Sequence, residues 1–190
     1  DSFLFENNTT DALLWIEKSY AQAQDDYYIL TKYINILVLT DQLTKAIELV
    51  DLYIGQSASS LEALTLIATL YQRQNQHEQA ILALRDYVRK SVDKSSAYNI
   101  LAKAQLVAGD KASAIQSYKK AIVADQSSIS AHIGLVNLVI NNKNEAFALS
   151  LIESIAKLTN SKSVEQVLLG DLYFALDNIT KAKKHYLAAL

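Results

Sequence analysis

Small and large apolar residues recur along this chain at a fixed step of 34 residues. Alanine marks the step most clearly, at Ala46, Ala80, Ala114, Ala148 and Ala182. Around each alanine the apolar residues follow the spacing of amphipathic helices, and each period contains two such stretches. The pattern predicts a repeat of two helices that cannot bury its apolar face without its neighbours, as in a helical solenoid.

The register sets the bounds of the predicted repeats. With the recurrent alanine at the twentieth place, they cover residues 27–60, 61–94, 95–128, 129–162 and 163–190. One period before Ala46 lies Ala12, so residues 1–26 are predicted to hold a partial repeat with a helix at about residues 10–24. Because the last repeat stops inside its second helix and the chain contains no methionine, we expect a piece of a longer or processed protein.

Short polar segments separate the two predicted helices of each repeat, as antiparallel helix pairs require. These segments are Thr40–Gln42, Gln74–Gln76, Gly109–Lys111, Asn141–Asn144 and Asp177–Asn178. Asn75-x-x-Glu78 and Asn142-x-x-Glu145 fit the Asn variant of a capping box. We therefore expect Asn75 and Asn142 to cap the second helices of their repeats.

Two strings in the last repeat have small and large residues at a characteristic spacing. They are Gln166-x-x-Leu169-Gly170-x-x-Tyr173 and Ala182-x-x-x-Tyr186-x-x-Ala189. This pattern resembles the tetratricopeptide repeat, and the resemblance extends in phase over residues 27–190. It implies an all-α, right-handed superhelical solenoid of antiparallel helix pairs, with about five repeats in one array and a partial repeat before them.

Close crossing of the two helices in a repeat requires small side chains between them. Ala68, Ala102 and Gly170 supply these on the first helices, and the recurrent alanines supply them on the second. The predicted core residues are Leu101, Tyr118, Leu135, Ile152, Leu169 and Tyr186. The repeat from Tyr27 has Ile34 where a small residue is expected, so its two helices should stand further apart.

Composition and charge exclude several classes of partner. Lys and Arg total 18 against 20 Asp and Glu, and a net charge of −2 provides no basic surface for nucleic acid. No apolar run approaches the roughly 20 residues of a membrane span, so we expect a soluble chain without direct membrane insertion. The absence of cysteine removes disulfides and thiolate metal sites, and is compatible with the cytoplasm or the bacterial periplasm.

Catalytic, metal and cofactor sites are not predicted. The three histidines fall in three different repeats, and a solenoid brings only adjacent repeats together. His132 occupies a packing position on a first helix, whereas His77 and His185 are predicted to lie on the solvated surface. We therefore expect a chain that is not an enzyme.

The resemblance implies that the first helices line a concave groove that holds partners. The predicted groove residues are Tyr28, Thr31, Asn35, Glu62, Thr65, Thr69, Arg73, Ser96, Asn99, Lys103, Ser130, Asn137, Asn141 and Asp171. The ninth place of every repeat is polar, and burying such a side chain without a partner costs about 1–3 kcal/mol. This repeated place is therefore expected to contact solvent or a ligand.

These patterns favour a non-enzymatic scaffold that binds a peptide or a partner protein in the groove. We expect it to be part of a larger bacterial assembly or export protein. One alternative is a structural spacer that self-associates through open solenoid ends, with Trp15 on the outer helix. Another is the regulatory repeat domain of an enzyme whose catalytic part lies outside this chain.

Overall fold

The computed structural model describes residues 2–56, 60–141, 144–158 and 163–190, with side chains from Thr9 onward except that of Asn141. In these ranges all regular secondary structure is α-helical, which confirms the predicted fold class. The helices are α1 (Ser2–Gln22), α2 (Tyr27–Leu39), α3 (Leu43–Gln56), α4 (Leu61–Arg73), α5 (His77–Lys90), α6 (Lys94–Val107), α7 (Lys111–Ala124), α8 (Ile129–Asn141), α9 (Glu145–Leu158), α10 (Ser163–Ala175) and α11 (Ile179–Ala188).

The helices follow the 34-residue register. The first helices of the repeats are α2, α4, α6, α8 and α10, and four of them begin at the predicted first residue of a repeat. The remaining one, α6, begins one residue earlier, at Lys94. Each recurrent alanine is buried, with at most 2% of its surface exposed. These alanines lie where two helices cross, and only a small side chain fits at such a crossing.

Helix α1 begins earlier than the sequence predicted. We expected a helix from about residue 10, but α1 already starts at Ser2. Residues 2–9 contain neither glycine nor proline, so nothing in the sequence interrupts the helix there. The hydroxyl of Tyr33 on α2 donates to Glu17 Oε1 (2.7 Å), and Lys45 on α3 also donates to that oxygen. These contacts attach α1 to the following repeat.

The chain forms two compact units, which we call the N-terminal half (Asp1–Ser91) and the C-terminal half (Val92–Leu190). Each half has its own apolar core. Leu30, Leu37 and Ile67 are among the buried residues of the first core, which also includes Tyr20 from α1. Leu135 and Ile152 belong to the second core, which combines residues from α6 through α11.

The size of the side chain at the eighth place correlates with how closely a helix pair packs. Backbones run close together over longer stretches in α4–α5, α6–α7 and α10–α11 than in α2–α3 and α8–α9. The eighth place holds Ala68, Ala102 and Gly170 in the first three pairs, but Ile34 and Val136 in the other two. The expectation of a wider spacing in the repeat from Tyr27 is therefore confirmed.

Five of the six predicted core residues are buried. Leu101, Leu135, Leu169, Tyr118 and Ile152 are at most 5% exposed. The prediction for Tyr186 is wrong, because this side chain is only half-buried. Its ring lies over Gly170, and its hydroxyl donates to Asp171 Oδ1 (2.7 Å) at the surface.

The turns inside the repeats share one geometry. At the fifteenth place the backbone is left-handed, with φ values of 57–82° at Asp41, Asn75, Gly109 and Asp177. The next amide then bonds a carbonyl five residues back, as in Asp110 N to Gln105 O (2.8 Å), which forms a Schellman motif. The predicted turns are confirmed, apart from the turn at Asn141–Asn144, which lies partly outside the described residues.

The predicted capping roles of two asparagines need correction. Asn75 is the left-handed turn residue, and the residue that caps α5 is Gln76, whose side chain makes no capping bond. Asn142 lies outside the described residues. Asn144 caps α9 instead, since its Oδ1 accepts from the amide of Phe147 (3.3 Å).

Gly109 is the one turn position of this kind that glycine occupies. Its φ is +82°, and an added Cβ would meet no atom within 4 Å, so only backbone strain opposes a larger residue. We expect Gly109→Ala to lower the free energy of unfolding by about 1 kcal/mol. Conversely, Asn75→Gly is expected to raise it by a few tenths of a kcal/mol. Urea unfolding followed by circular dichroism tests both, and equal midpoints for the two variants would contradict the prediction.

Candidate functional site

Polar side chains at the ninth place of the first helices are exposed in every repeat. In the N-terminal half these are Asn35 and Thr69, and in the C-terminal half they are Lys103, Asn137 and Asp171. The same helices bury most of their apolar residues, although Leu39, Val107 and Phe174 are exposed. We call the predicted groove residues of each half, other than Asn99 and Asn141, the first-helix face of that half.

Threonine hydroxyls on the first-helix face of the N-terminal half donate to their own helices. Thr31 Oγ1 donates to Tyr28 O (2.8 Å), Thr65 Oγ1 to Glu62 O (2.8 Å), and Thr69 Oγ1 to Thr65 O (2.9 Å). Because each hydroxyl hydrogen is used in this way, the oxygen is left as an acceptor. The threonines therefore suit N–H donors of a ligand.

Charged and aromatic groups complete this part of the face. The Tyr28 ring is 68% exposed, and Lys32 Nζ lies 5.0 Å from its centroid. On α4, Glu62 stands in the first turn and Arg73 in the last, where each complements the helix dipole. The face thus offers both signs of charge beside an exposed aromatic ring.

Asn99 on α6 lies inside the C-terminal half. We expected it to face a ligand, but it is only 8% exposed, and its Nδ2 donates to Ser130 Oγ on α8 (3.0 Å). Its Oδ1 is buried without a hydrogen-bond partner. The correction follows from the position of the neighbouring first helix, which lies close enough for the amide to reach it.

The other predicted residues of the C-terminal half differ in their surroundings. Ser96, Lys103 and Asn137 are exposed. Asp171 is also exposed, but it accepts the hydroxyl of Tyr186, and this bond raises the pKa of Tyr186 above its usual value. The side chain of Asn141 lies outside the described residues.

All three histidines are at least partly buried in the folded chain. His132 is 5% exposed, and its Nδ1 lies 2.9 Å from Ser128 O, so this nitrogen carries the proton that the carbonyl accepts. The packing role predicted for it is confirmed. The surface position predicted for His185 is wrong, because its ring stacks on Tyr173 (5.2 Å between centroids). His77 is half-buried, with its Nδ1 atom shielded from solvent.

His185 makes the stability of the C-terminal half depend on pH. Burial lowers its pKa, as do the charges of Lys184 and Lys181, and its Nδ1 lies 2.8 Å from Gln166 Oε1. In the unfolded chain the ring titrates near its ordinary value of 6.5, so below that pH the unfolded state binds more protons. We expect stability to be full above pH 6.5 and to fall as the pH is lowered through the folded pKa.

Urea unfolding between pH 7.5 and pH 5 tests this expectation by comparing the wild type with His185→Phe, which keeps a ring against Tyr173. The variant should lose less stability over this range, because its phenyl ring binds no proton. Identical pH slopes for the two proteins would contradict the assignment.

The described parts of the chain contain neither a candidate metal-binding group nor a candidate membrane span. Those residues contain no group of three or more His, Cys, Asp or Glu side chains placed to hold a metal ion. None of the helices they form is long and apolar enough to cross a membrane.

Comparison with protein families agrees with the repeat register and the helix pairs. Two models of the tetratricopeptide repeat match the chain, at residues 65–129 and 166–190. The chain is a helical repeat protein of the tetratricopeptide family. A third model, of anaphase-promoting complex (cyclosome) subunit 3, matches residues 6–87. None of the curated protein sequences compared with the chain matches it significantly.

Several solved structures share the fold. The C-terminal part of a TPR repeat-containing protein from Cytophaga hutchinsonii is 18% identical with a TM-score of 0.70, covering 99% of this chain and 76% of its own. PilF from Pseudomonas aeruginosa is 14% identical with a TM-score of 0.64, covering 98% and 85%. YrrB, a TPR protein with an unusual peptide-binding site, is 15% identical with a TM-score of 0.57, covering 92% and 90%.

At these identities the likeness concerns the fold alone. Proteins with tetratricopeptide repeats commonly mediate protein–protein interactions and are generally non-catalytic scaffolds. The helical fold and the family models together give this chain the scaffold fold of such proteins.

Proposed function

We propose that this tetratricopeptide protein binds extended peptide segments of a partner protein on the first-helix faces of its two halves. The observation that carries the proposal is the ninth place of the repeats, which is polar and exposed in all five of them. A polar, exposed side chain at the same place of every repeat gives a ligand hydrogen-bonding groups at regular intervals. The peptide-binding site of YrrB, a protein of the same fold, supports the same function.

The chemistry of the face favours recognition of the peptide backbone. Thr31, Thr65 and Thr69 present acceptor oxygens for N–H groups, and Asn35 and Asn137 offer both donors and acceptors. Arg73 and Lys103 add cations for acidic side chains of the peptide. We further propose that the scaffold serves a larger bacterial assembly, which agrees with the bacterial sources of two similar structures.

The test uses a peptide selected from a random library displayed on phage and then made synthetically. Its affinity is measured calorimetrically for the wild type and for the variant Asn35→Ala, Thr69→Ala, Lys103→Ala, Asn137→Ala. Each lost hydrogen bond is worth about 0.5–1.5 kcal/mol, so binding should weaken by roughly thirtyfold or more. Because these side chains are exposed, the variant should remain folded.

A control variant changes the same number of exposed residues on second helices: Glu48→Ala, Glu78→Ala, Gln116→Ala and Lys184→Ala. Its affinity for the peptide should match that of the wild type. If every selected peptide bound the first-helix variant as tightly as the wild type, the proposal would be wrong.

Self-association is a second candidate because large apolar side chains are exposed on α10 and α11. Phe174, Ile179 and Leu187 are 61%, 52% and 59% exposed and line one surface pocket of about 410 Å³. In the N-terminal half, Trp15 is 65% exposed on α1. A contact between these different surfaces of two copies would be heterologous, and its mass should grow with concentration.

Light scattering over a concentration series tests this alternative. Self-association predicts a rising mass for the wild type that the variant Phe174→Ser, Leu187→Ser abolishes. A constant monomer mass for both proteins would exclude it.

A further inference from the structure

A second groove lies in the N-terminal half, away from the first-helix face. Helices α3 and α5, both second helices of their repeats, form its walls, and α4 forms its floor; we call it the α3–α5 groove. It encloses a pocket of about 380 Å³. Its lining residues are Asp51, Ile54, Leu64, Ile67, Tyr71, Gln79, Leu82, Ala83 and Asp86.

The inner part of the groove is apolar and partly open to solvent. Leu64 and Ile67 are 5% and 2% exposed at its floor, and Ile54 is half-buried on its wall. Leu82 stands on the opposite wall with 59% of its surface exposed. An aliphatic or aromatic side chain placed between these groups would remove apolar surface from water on both partners.

Two carboxylates stand on the walls beside this apolar surface. The Tyr71 hydroxyl donates to Asp51 Oδ2 (3.2 Å), and burial together with the charge of Asp51 raises the pKa of Tyr71. Asp86 Oδ1 accepts from Arg89 (3.0 Å) in an ion pair that is open to solvent. A carboxylate can accept several hydrogen bonds, so each aspartate keeps capacity for a further donor.

The corresponding groove of the C-terminal half shows that packing does not require these acids. Two periods further on, Asp51 is replaced by Lys119 and Asp86 by Ser154, whereas Ile54 remains isoleucine at Ile122. The pocket there is lined by Ile122, Ser154 and Lys157, among other residues, and has a similar volume of about 370 Å³. The repeat therefore forms such a groove without an acid at either place, and of these two grooves only the first has the acid pair.

We propose that the α3–α5 groove binds a protein segment in which an aliphatic or aromatic side chain adjoins a lysine or an arginine. The apolar side chain lies between Ile54 and Leu82, above Leu64. The cation lies between Asp51 and Asp86, where it forms charge-assisted hydrogen bonds with both. This site is separate from the first-helix face and does not depend on binding there.

Fluorescence anisotropy tests the proposal with a short labelled Gly-Ser peptide that contains Leu-Arg pairs. A matched peptide carries Leu-Glu pairs. We expect the wild type to bind the first peptide and to bind the second at least about tenfold more weakly, because the carboxylates repel its acids. Asp51→Asn with Asp86→Asn should weaken binding of the Leu-Arg peptide by about tenfold, and Leu82→Ser should weaken it as well.

The control Glu48→Gln with Glu78→Gln makes the same change of charge on α3 and α5 at exposed residues outside the groove lining. It should bind the Leu-Arg peptide within about twofold of the wild type, as should the first-helix variant defined above. Circular dichroism confirms that each variant is folded. The proposal is overturned by equal losses in the two charge variants, by equal binding of both peptides, or by no binding up to about 1 mM peptide.

Discussion

Replacement of Ala114 by leucine is expected to lower the free energy of unfolding of the C-terminal half by about 3 kcal/mol. Ala114 is 0% exposed on α7, and Ala102, on the facing helix α6, is also 0% exposed. The backbones of these two helices run close together over the longest stretch of any pair described. Since the interior is close-packed, the added carbon atoms of leucine can be accommodated only if the helices separate.

Urea unfolding gives the size of the effect, and hydrogen exchange locates it on α6 and α7. Ala112→Leu is the control, because Ala112 is exposed on the same helix, and its effect should stay within about 0.5 kcal/mol. Ala46→Leu should cost less than Ala114→Leu, since α2 and α3 pack less closely. Equal stabilities of the Ala112 and Ala114 variants would show that the recurrent alanine does not set the helix spacing.

Gly134→Ala is expected to destabilise the C-terminal half by about 2 kcal/mol, although alanine is the better helix former by about 1 kcal/mol. A Cβ at Gly134 would lie 2.3 Å from both Cε1 and Cζ of Tyr118. The Tyr118 ring is 2% exposed and is held in the core, so it has little room to move aside. Gly170→Ala meets Tyr186 at 2.4 Å but should cost less, because that ring is only half-buried.

Gly55→Ala is the matched control, since nothing lies within 4 Å of its added Cβ on α3. It should stabilise the chain by about 0.5–1 kcal/mol. A double-mutant cycle with Tyr118→Leu tests the cause, because removal of the ring should relieve the clash at Gly134. A coupling energy below about 0.5 kcal/mol would show that the two residues do not oppose each other.

The sequence predicted the helix pairs well because its pattern repeats. The alanine register predicted the starts of the first helices to within one residue. The eighth-place residues Ile34 and Ala102 indicated a loosely packed pair and a closely packed pair, respectively. The importance of Gly134 was missed, although a signal was present. Glycine occurs at the sixth place in this repeat alone, and the repeat before it carries the large Tyr118 at its twenty-fourth place.

The sequence was less informative about individual polar side chains. It correctly expected the ninth places to be exposed, but it placed Asn99 in the groove, whereas that side chain is buried and donates to Ser130. It also placed His185 in solvent, whereas the ring stacks on Tyr173. Each of these pairings joins different helices, so no local spacing indicates it.

The sequence by itself determined the period, the helical class, the buried alanines and the polar ninth places. These follow from the hydrophobic effect, which depends on how much apolar surface each helix can bury and is therefore visible as a pattern along the chain. Only the tertiary structure decided which polar groups remain available and where the α3–α5 groove opens. Hydrogen bonds and grooves depend on distances between atoms of separate helices, such as the 3.0 Å between Asn99 and Ser130, and these distances are set only when the helices pack.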